Sequence, residues 1–481
     1  LLSQIMNGIC SVKTDIEISE IVSHSKKITK GCVFVCIKGA TLDGHDYAVK
    51  AIEQGASAVV VEYDMGISAT QQLIVDNGRK ALSLMAANLY GNPAKKLKLI
   101  GVTGTNGKTT ISYVIKHIIE HCGCKSGIIG TIVYDTGAQE THAVNTTPEP
   151  LELQSLFAQM VENGCEYCVM EASSQALDQQ RLAGLHFEGA IFSNLSQDHL
   201  DWHGSMENYF HAKRMLLENS NIALVNADDE HGKRLLENPP CECYGYSSEG
   251  ESDYFAANIK GTASGVTYWL CSKNEQKSYP VTFAMPGLFS VGNSLCAAAL
   301  CVKLGFAAEK VLEGINSSRG VPGRCEVLET GTDFTVILDF AHTPDALEKI
   351  LTTIKPYVKG RLICLYGAAG KRDRTKRPQM GEITARLADY LVLTSDNPRD
   401  ENEQCIINMM LVGVKEHNTP YVALTDRRAA IYHAVKEAKA GDVLLLAGKG
   451  HEDYQALPEG DIHFVERDIV MEAVKEIYGK K

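Results

Sequence analysis

The 481-residue sequence has no excess of positive charge, no long apolar run, no tandem repeat and no cysteine–histidine spacing suited to zinc. Each absence excludes something. A formal net charge of −12 argues against non-specific binding to a nucleic-acid backbone. Anionic substrates must then be held by local clusters of cations and not by a global field. No apolar run reaches membrane-spanning length, and no charged segment followed by an apolar one opens the chain. No membrane insertion and a cytoplasmic location are therefore expected. Fifteen cysteines are present, but Cys122/Cys124, Cys241/Cys243 and Cys32/Cys36 join no zinc-finger set. They read as reduced thiols, mostly buried.

What is present is ordinary in composition, with 44% hydrophobic and 22% charged residues. At roughly 150 residues per domain the length suggests about three domains. Residues 1–93 read as a first α/β unit with strands at 32–37 and 56–61, a loop at 39–45 and a helix at 47–54. Gly91-Asn92-Pro93 marks a linker. Residues 94–325 alternate strands (97–102, 126–133, 166–171, 188–194, 222–226) with helices such as 150–163. A small β excursion falls within 241–285 and helices return at 293–303 and 308–315. After Gly320-Val321-Pro322-Gly323, residues 326–481 alternate again. Strands are expected at 335–340, 361–366, 389–394 and 442–447, and helices at 344–355, 378–388, 404–416 and 427–439. The fold class is α/β: a central mostly parallel sheet of P-loop type with helices on both faces, and a C-terminal Rossmann-like domain.

The chemistry centres on Thr103-Gly104-Thr105-Asn106-Gly107-Lys108-Thr109-Thr110, between an apolar strand and a helical segment. Strand, glycine-rich turn, Lys-Thr-Thr and helix form the layout of a phosphate-binding loop. Gly104 and Gly107 permit backbone conformations closed to other residues. The helix start adds partial positive charge, Lys108 a full charge, and a Thr hydroxyl a ligand for Mg²⁺. The strict pattern would place a glycine where Val102 stands, so the loop is a variant.

Polar clusters follow other strands. Asn145-Thr146-Thr147-Pro148-Glu149-Pro150 precedes a helix start, where simple capping is the plain alternative. Glu171-Ala172-Ser173-Ser174 ends a buried strand, where open α/β sheets bind ligands and a carboxylate suits Mg²⁺. Gln179 and Arg181 follow. Asp198, His199, Asp201 and His203 crowd six residues, and Lys213 sits in an otherwise ordinary helix. Ser25 precedes Lys26 and Lys27, as a phosphate contact or a solvated turn. In the last unit every strand delivers a cluster: Asp339-Phe340-Ala341-His342, Gly367 to Arg374, Asp396-Asn397-Pro398-Arg399 and Gly448-Lys449-Gly450-His451-Glu452.

In this order the motifs resemble the Mur ligase family, the ATP-dependent ligases of peptidoglycan stem-peptide synthesis, and within it the third-residue, MurE-type members. The resemblance covers nearly the whole chain. It implies that Gly104, Thr105, Asn106, Gly107, Lys108, Thr109 and Thr110 hold ATP, with help from Asn293, Arg324 and Asp339. It implies that Thr109, Glu171, His199 and Lys213, the last as a carbamate, hold Mg²⁺, and that Lys108, Glu171, His199 and Lys213 are catalytic. The UDP-N-acetylmuramoyl dipeptide would meet Ser25, Asn145, Thr146, Thr147, Ser173, Gln179 and Arg181. Arg372, Asp396, Asn397, Pro398, Arg399, Gly448 and Glu452 would form the pocket for the incoming amino acid.

The resemblance also bears on the acceptor. Arg399 matches members that add meso-2,6-diaminopimelate, whose distal carboxylate a guanidinium grips with two parallel bonds. L-lysine lacks that carboxylate. The departures from the family pattern are His24-Ser25-Lys26, Gln175, Ser290 and Lys371. The alternatives are L-lysine or another amino acid, a folylpolyglutamate synthase-like relative with a different acceptor, or a P-loop ATPase with no covalent product. A monomer is expected.

Overall fold

Buried β runs alternating with amphipathic segments leave few options but parallel strands joined by crossover helices. A computed structural model describes residues 1–39, 42–273 and 277–479. It divides into two compact units, Leu1–Tyr246 with Ala299–Ala307, and Ser247–Ala298 with Ala308–Lys481.

The first unit holds two sheets. Ile21–Val22, Val33–Val35, Ala58–Val61 and Gln72–Ile74 form a four-stranded parallel sheet in that order. The second sheet runs Glu242–Ser247, Ser220–Asn226, Phe187–Phe192, Lys98–Thr103, Tyr167–Glu171 and Ser126–Ile129, all parallel. The loop-bearing strand Lys98–Thr103 is thus central, buried on both faces by helices. One is Lys108–His121, which turns Ile111, Val114, Ile115, Ile118 and Ile119 inward at helical spacing. Pro150–Glu162 begins with proline at its first position and buries Leu153, Phe157 and Met160. Met206–Glu218 is capped by Ser205, whose side chain accepts from the Asn208 N–H.

The expected strand at 126–133 is two strands. Ser126–Ile129 stops, and Val133–Asp135 returns antiparallel to it. The break falls at Gly130, where a Cβ would strike the Glu171 carboxylate. Apolar content marked the run as β but carried no sign of this close approach. The expected helix at 47–54 is a short 3₁₀ turn, Gly44–Tyr47, followed by Ala48–Glu53. Ala40 and Thr41 of the loop at 39–45 lie outside the described residues.

In the second unit, Tyr254–Thr262, Gly265–Ser272 and Lys277–Phe283 pair antiparallel, as the β excursion anticipated. Its residues 274–276 lie outside the described residues. A six-stranded sheet follows in the order Glu326–Leu328, Thr335–Asp339, Val443–Ala447, Leu362–Tyr366, Tyr390–Thr394 and Tyr421–Leu424, antiparallel only at its first pair. Val336, Leu338, Ile363, Leu365, Val392, Leu444 and Leu446 are buried in one core. Each contributes about 1.5–3 kcal/mol of transfer free energy. The edge strand Tyr421–Leu424, the hairpin Tyr454–Leu457/Gly460–His463 and the helix Glu466–Tyr478 were not anticipated. The first two are short and partly polar, so they carry little periodicity.

Candidate active site

The phosphate-loop segment leaves the central strand and turns at Gly104 (φ 147°) and Gly107 (φ 88°), the latter capping the helix Lys108–His121. A side chain at Gly104 would strike Ser193, so the turn is closed to larger residues. The loop is pinned from the next strand. Thr105 N–H donates to the Asn194 carbonyl at 2.9 Å, and Asn106 N–H to Asn194 Oδ1 at 2.9 Å. Ser193 Oγ donates to the Asn106 carbonyl at 2.6 Å. Two of the loop's N–H groups therefore serve internal bonds. The N–H groups of the first helical turn, Lys108 to Thr110, have no partner within the helix and suit a phosphate.

Two lysines converge on this loop. Lys108 Nζ donates to the carbonyls of Gly104 (2.9 Å) and Thr105 (3.0 Å), and Lys213 Nζ donates to Gly104 at 2.7 Å. Lys213 is 1% exposed, with its ammonium 4.7 Å from the Tyr209 ring centre. Burial, and then the Lys108 charge, hold the Lys213 amine well below the ordinary lysine range. Burial lowers Lys108 too, while the charges of Glu171 and Asp198 pull it back up. Tyr209 also meets Thr105 Oγ1 at 3.2 Å. Asn194 and Tyr209 thus brace the loop, and neither was among the expected site residues. The four-residue spacing of Tyr209 and Lys213 on one helix was the available signal for one of them.

Glu171 ends its strand 1% exposed. Thr131 holds it from two sides, N–H to Oε1 at 2.9 Å and Oγ1 to Oε2 at 3.1 Å. Thr131 Oγ1 also lies 3.1 Å from Thr146 Oγ1. Thr147 Oγ1 donates to the Glu171 carbonyl at 2.7 Å and accepts from Ser173 N–H at 3.1 Å. Arg181 Nη1 donates to the Thr147 carbonyl at 2.8 Å, and Nη2 to Gln179 Oε1 at 2.9 Å. Arg181 also pairs with Glu149 at 2.7 Å. Asn145 is tied by N–H and carbonyl to Tyr134 Oη, at 2.9 and 2.6 Å. Thr146, Thr147, Ser173, Gln179 and Arg181 therefore form one network with Glu171. Ser25 belongs to the other sheet of the unit, in the turn Ser25–Lys27.

His199 is 45% exposed, in a left-handed conformation (φ 52°), near Asp198 (3.5 Å) and edge-on to Tyr209. Among the described residues no three His, Cys, Asp or Glu side chains gather as a metal set. Oxygen donors fit Mg²⁺, and Glu171 supplies them. Lys213 as an ammonium has no lone pair for a cation; its depressed basicity suits conversion to a carbamate, which offers oxygen donors. None of the fifteen cysteines, all described, forms a disulfide.

In the second unit the four anticipated clusters sit at the carboxyl ends of neighbouring strands. Asp339 is half-buried, and desolvation raises its pKa although Cys325 N–H and Ala341 N–H donate to it at 2.7 and 2.8 Å. Arg324 lies over the Phe340 ring at 4.9 Å, and Phe340 contacts His342 and His451. Asn293 lies on the helix Phe289–Lys303 and is 9% exposed.

Asp396 and Asn397 are each 4% exposed. Asn397 Oδ1 accepts from Lys449 Nζ (3.1 Å) and Ala456 N–H (3.0 Å), while its Nδ2 donates to Glu452 Oε2 at 2.9 Å. Lys449 also reaches Glu452 at 3.0 Å and is wholly buried. The sequence placed it within the Gly448 to Glu452 cluster but assigned it no role. Gly448 has φ 119°, and a Cβ there would lie 2.8 Å from Asp396 Oδ2. Arg399 (φ 55°) donates Nη1 to the Gly370 carbonyl at 2.8 Å. Pro398 is buried beside it, and Arg372 is exposed.

The chain matches three family descriptions in order: "Mur ligase family, catalytic domain" over 17–90, "Mur ligase middle domain" over 102–301 and "Mur ligase, glutamate ligase domain" over 323–450. The UDP-N-acetylmuramoyl-L-alanyl-D-glutamate–2,6-diaminopimelate ligase 1 of Clostridium acetobutylicum is 44% identical over 467 residues, 96% of each chain. The chain belongs to the Mur ligase family. A Bacillus cereus 2,6-diaminopimelate ligase is 41% identical, covering 96% of this Mur ligase and 95% of that protein. A solved diaminopimelate ligase superposes with TM-score 0.74 at 30% identity, 99% of both chains. The MurF ligase of Thermotoga maritima, solved with ADP, shares the fold at TM-score 0.55 and 19% identity, over 97% of this chain and 98% of that one.

Proposed function

We propose that this Mur ligase adds meso-2,6-diaminopimelate to UDP-N-acetylmuramoyl-L-alanyl-D-glutamate, releasing ADP and phosphate, in peptidoglycan synthesis. The observation that carries the acceptor choice is Arg399 beside the hydrogen-bonded Asn397–Lys449–Glu452 group, at identity of 41–44% over 96% of this chain to proteins named for that reaction. We further propose three domains, 1–93, 94–325 and 326–481, a monomeric state and a cytoplasmic location. Among the described residues no helix is long and apolar enough to cross a membrane.

The D-Glu side-chain carboxylate attacks the γ-phosphate of ATP, giving an acyl phosphate and ADP. The amine of the amino acid then displaces phosphate and forms the amide. Phosphoryl transfer needs positioning and charge neutralisation more than covalent chemistry. The Gly104–Thr110 loop and the first turn of its helix cradle the phosphates, and Lys108 offsets developing negative charge. At 4 Å and an effective dielectric of 20, one such pair contributes roughly 4 kcal/mol. Glu171, His199, Thr109 and Lys213 as a carbamate would hold Mg²⁺, which supplies further neutralisation of phosphate charge. The network from Thr146 to Arg181, with Asn145 and Ser25, binds the nucleotide dipeptide. Asn293, Arg324 and Asp339 serve the nucleotide, Asp339 by ordering the Cys325–Ala341 backbone around Arg324. Asp396, Asn397, Gly448, Glu452, Arg372, Pro398 and Arg399 bind the amino acid. Arg399 grips its distal carboxylate, and a site built around that contact rejects lysine by up to about 10⁴-fold.

The test is an acceptor screen of meso-diaminopimelate, L-lysine and L-ornithine, following phosphate release and the mass of the amide. Phosphate release that requires both dipeptide and diaminopimelate is expected. Equal release without amino acid, or a preference for lysine, overturns the reading.

A further inference from the structure

The loop that carries Arg372 and the loop that carries Arg399 are joined through the backbone of Ala369 to Lys371. Four bonds hold these consecutive residues. Arg377 Nη2 donates to the Ala369 carbonyl at 3.0 Å, and Gly370 N–H donates to the Asn397 carbonyl at 2.9 Å. Arg399 Nη1 donates to the Gly370 carbonyl at 2.8 Å, and Lys371 N–H donates to Glu401 Oε2 at 3.1 Å. Two bonds come from the acceptor loop itself. The other two come from an ion pair behind it, Arg377 with Glu401. Its fork is two-pronged, Nη1 to Oε1 at 2.7 Å and Nη2 to Oε2 at 2.9 Å, which defines a plane as well as a distance. Arg377 has no exposed side-chain surface and Glu401 is 10% exposed.

A buried ion pair is poor evidence of stabilisation, because desolvation offsets the attraction and an apolar pair often does as well. This pair does something an apolar pair cannot: it donates to one backbone group of the strap and accepts from another. The strap has little slack. A Cβ on Gly370 would run into the Pro398 carbonyl, and both Lys371 (φ 51°) and Arg399 (φ 55°) hold left-handed conformations unfavourable for such residues. Surroundings must impose those conformations, and the Arg377–Glu401 fork is bonded on either side of Gly370.

We propose that Arg377 and Glu401 are positioning residues for acceptor specificity, setting the spacing of Arg372 and Arg399 by bracing residues 369–371. This rests on the assignment of Arg399 to the acceptor's distal carboxylate. A displacement of about 1 Å in such a contact costs on the order of 10²-fold in rate.

The experiment compares full-length wild type with Glu401→Gln and Arg377→Lys at saturating ATP and dipeptide. Lys355→Ala, which removes an exposed ion pair with Asp389 elsewhere in the unit, is the control. The expected result is a rise of about 10-fold or more in KM for diaminopimelate and a comparable fall in the diaminopimelate-to-lysine ratio of kcat/KM. KM for ATP and for the dipeptide stays at the wild-type value. A lower Tm with acceptor KM and ratio unchanged means the pair is structural only and overturns the proposal. Should Glu401→Gln not fold, Arg377→Lys, which keeps the charge and loses the fork, is read by the same criteria. Wild type preferring lysine overturns the Arg399 assignment instead, and the brace is then judged by the variants' KM for lysine.

Discussion

Lys108 and Lys213 donate to one acceptor: both ammonium groups end on the Gly104 carbonyl, at 2.9 and 2.7 Å. Two cations on one oxygen repel each other, and the burial of Lys213 leaves it little solvent to screen the repulsion. The amine of Lys213 therefore gives up its proton more readily than an ordinary lysine, and the neutral amine is the form that combines with CO₂ to give a carbamate. That conversion would replace a cation beside Lys108 with an anion.

Lys213→Arg keeps the positive charge and cannot be carbamylated. Its ligase activity is expected to fall by about 10²-fold or more, in line with loss of a metal-supporting group. Wild-type enzyme stripped of CO₂ should lose activity and regain it with bicarbonate, and ¹³C-bicarbonate should give a carbamate resonance absent from the variant. In bicarbonate-free buffer there is also a stability signature. The folded chain holds this amine below its ordinary value of 10.5. Between the two values the unfolded chain binds more protons, so stability rises with pH across that window. Urea unfolding of Lys213→Met should lack that slope.

Glu171 is held by both donors of Thr131. Glu171→Gln keeps the shape and removes the charge. The Mg²⁺ concentration for half-maximal activity is expected to rise by about 10–100-fold, with near-complete loss at low Mg²⁺. Thr131→Val should shift it in the same direction by less. An unchanged Mg²⁺ dependence in Glu171→Gln would remove Glu171 from the metal set.

Arg399→Ala should lower kcat/KM for diaminopimelate by about 10²–10³-fold, the range for truncating one side of a charged hydrogen-bonded pair. Lysine, with no distal carboxylate, should lose far less, so the preference narrows. Steady-state kinetics with each acceptor measures both.

Gly104→Ala places a methyl group against Ser193 at φ 147°. A cost of about 1–3 kcal/mol is expected, as for other overpacked sites. It should appear as a lower Tm and as weaker ADP binding by calorimetry. Restoring both with Gly104→Ala/Ser193→Ala would locate the strain in that contact.

Much of the fold was legible because parallel α/β units write it in strong local signals. Buried strands such as Val443–Ala447 and helices such as Pro150–Glu162 were placed within a residue or two. The run at 126–133 was misread because Gly130 yields to Glu171, forty-one residues away in sequence. The strand ends bearing Asp339, Asp396 and Gly448 were legible as clusters. The pairing of Lys449 with Glu452 and of Arg377 with Glu401 was not, since a charged side chain reads as solvated unless its partners are known.

The sequence by itself determined the alternation of strands and helices, the phosphate-loop segment and the set of polar groups delivered at strand ends. These follow from periodicity and from residue types that few other structures use. Only the tertiary structure decided which charges are buried and on what they are spent. It placed two lysines on the Gly104 carbonyl, fixed Glu171 between the donors of Thr131 and set Arg377 against Glu401. The physical reason is that burial and pairing belong to contacts between distant segments, and a charge changes its chemistry only when those contacts remove its water.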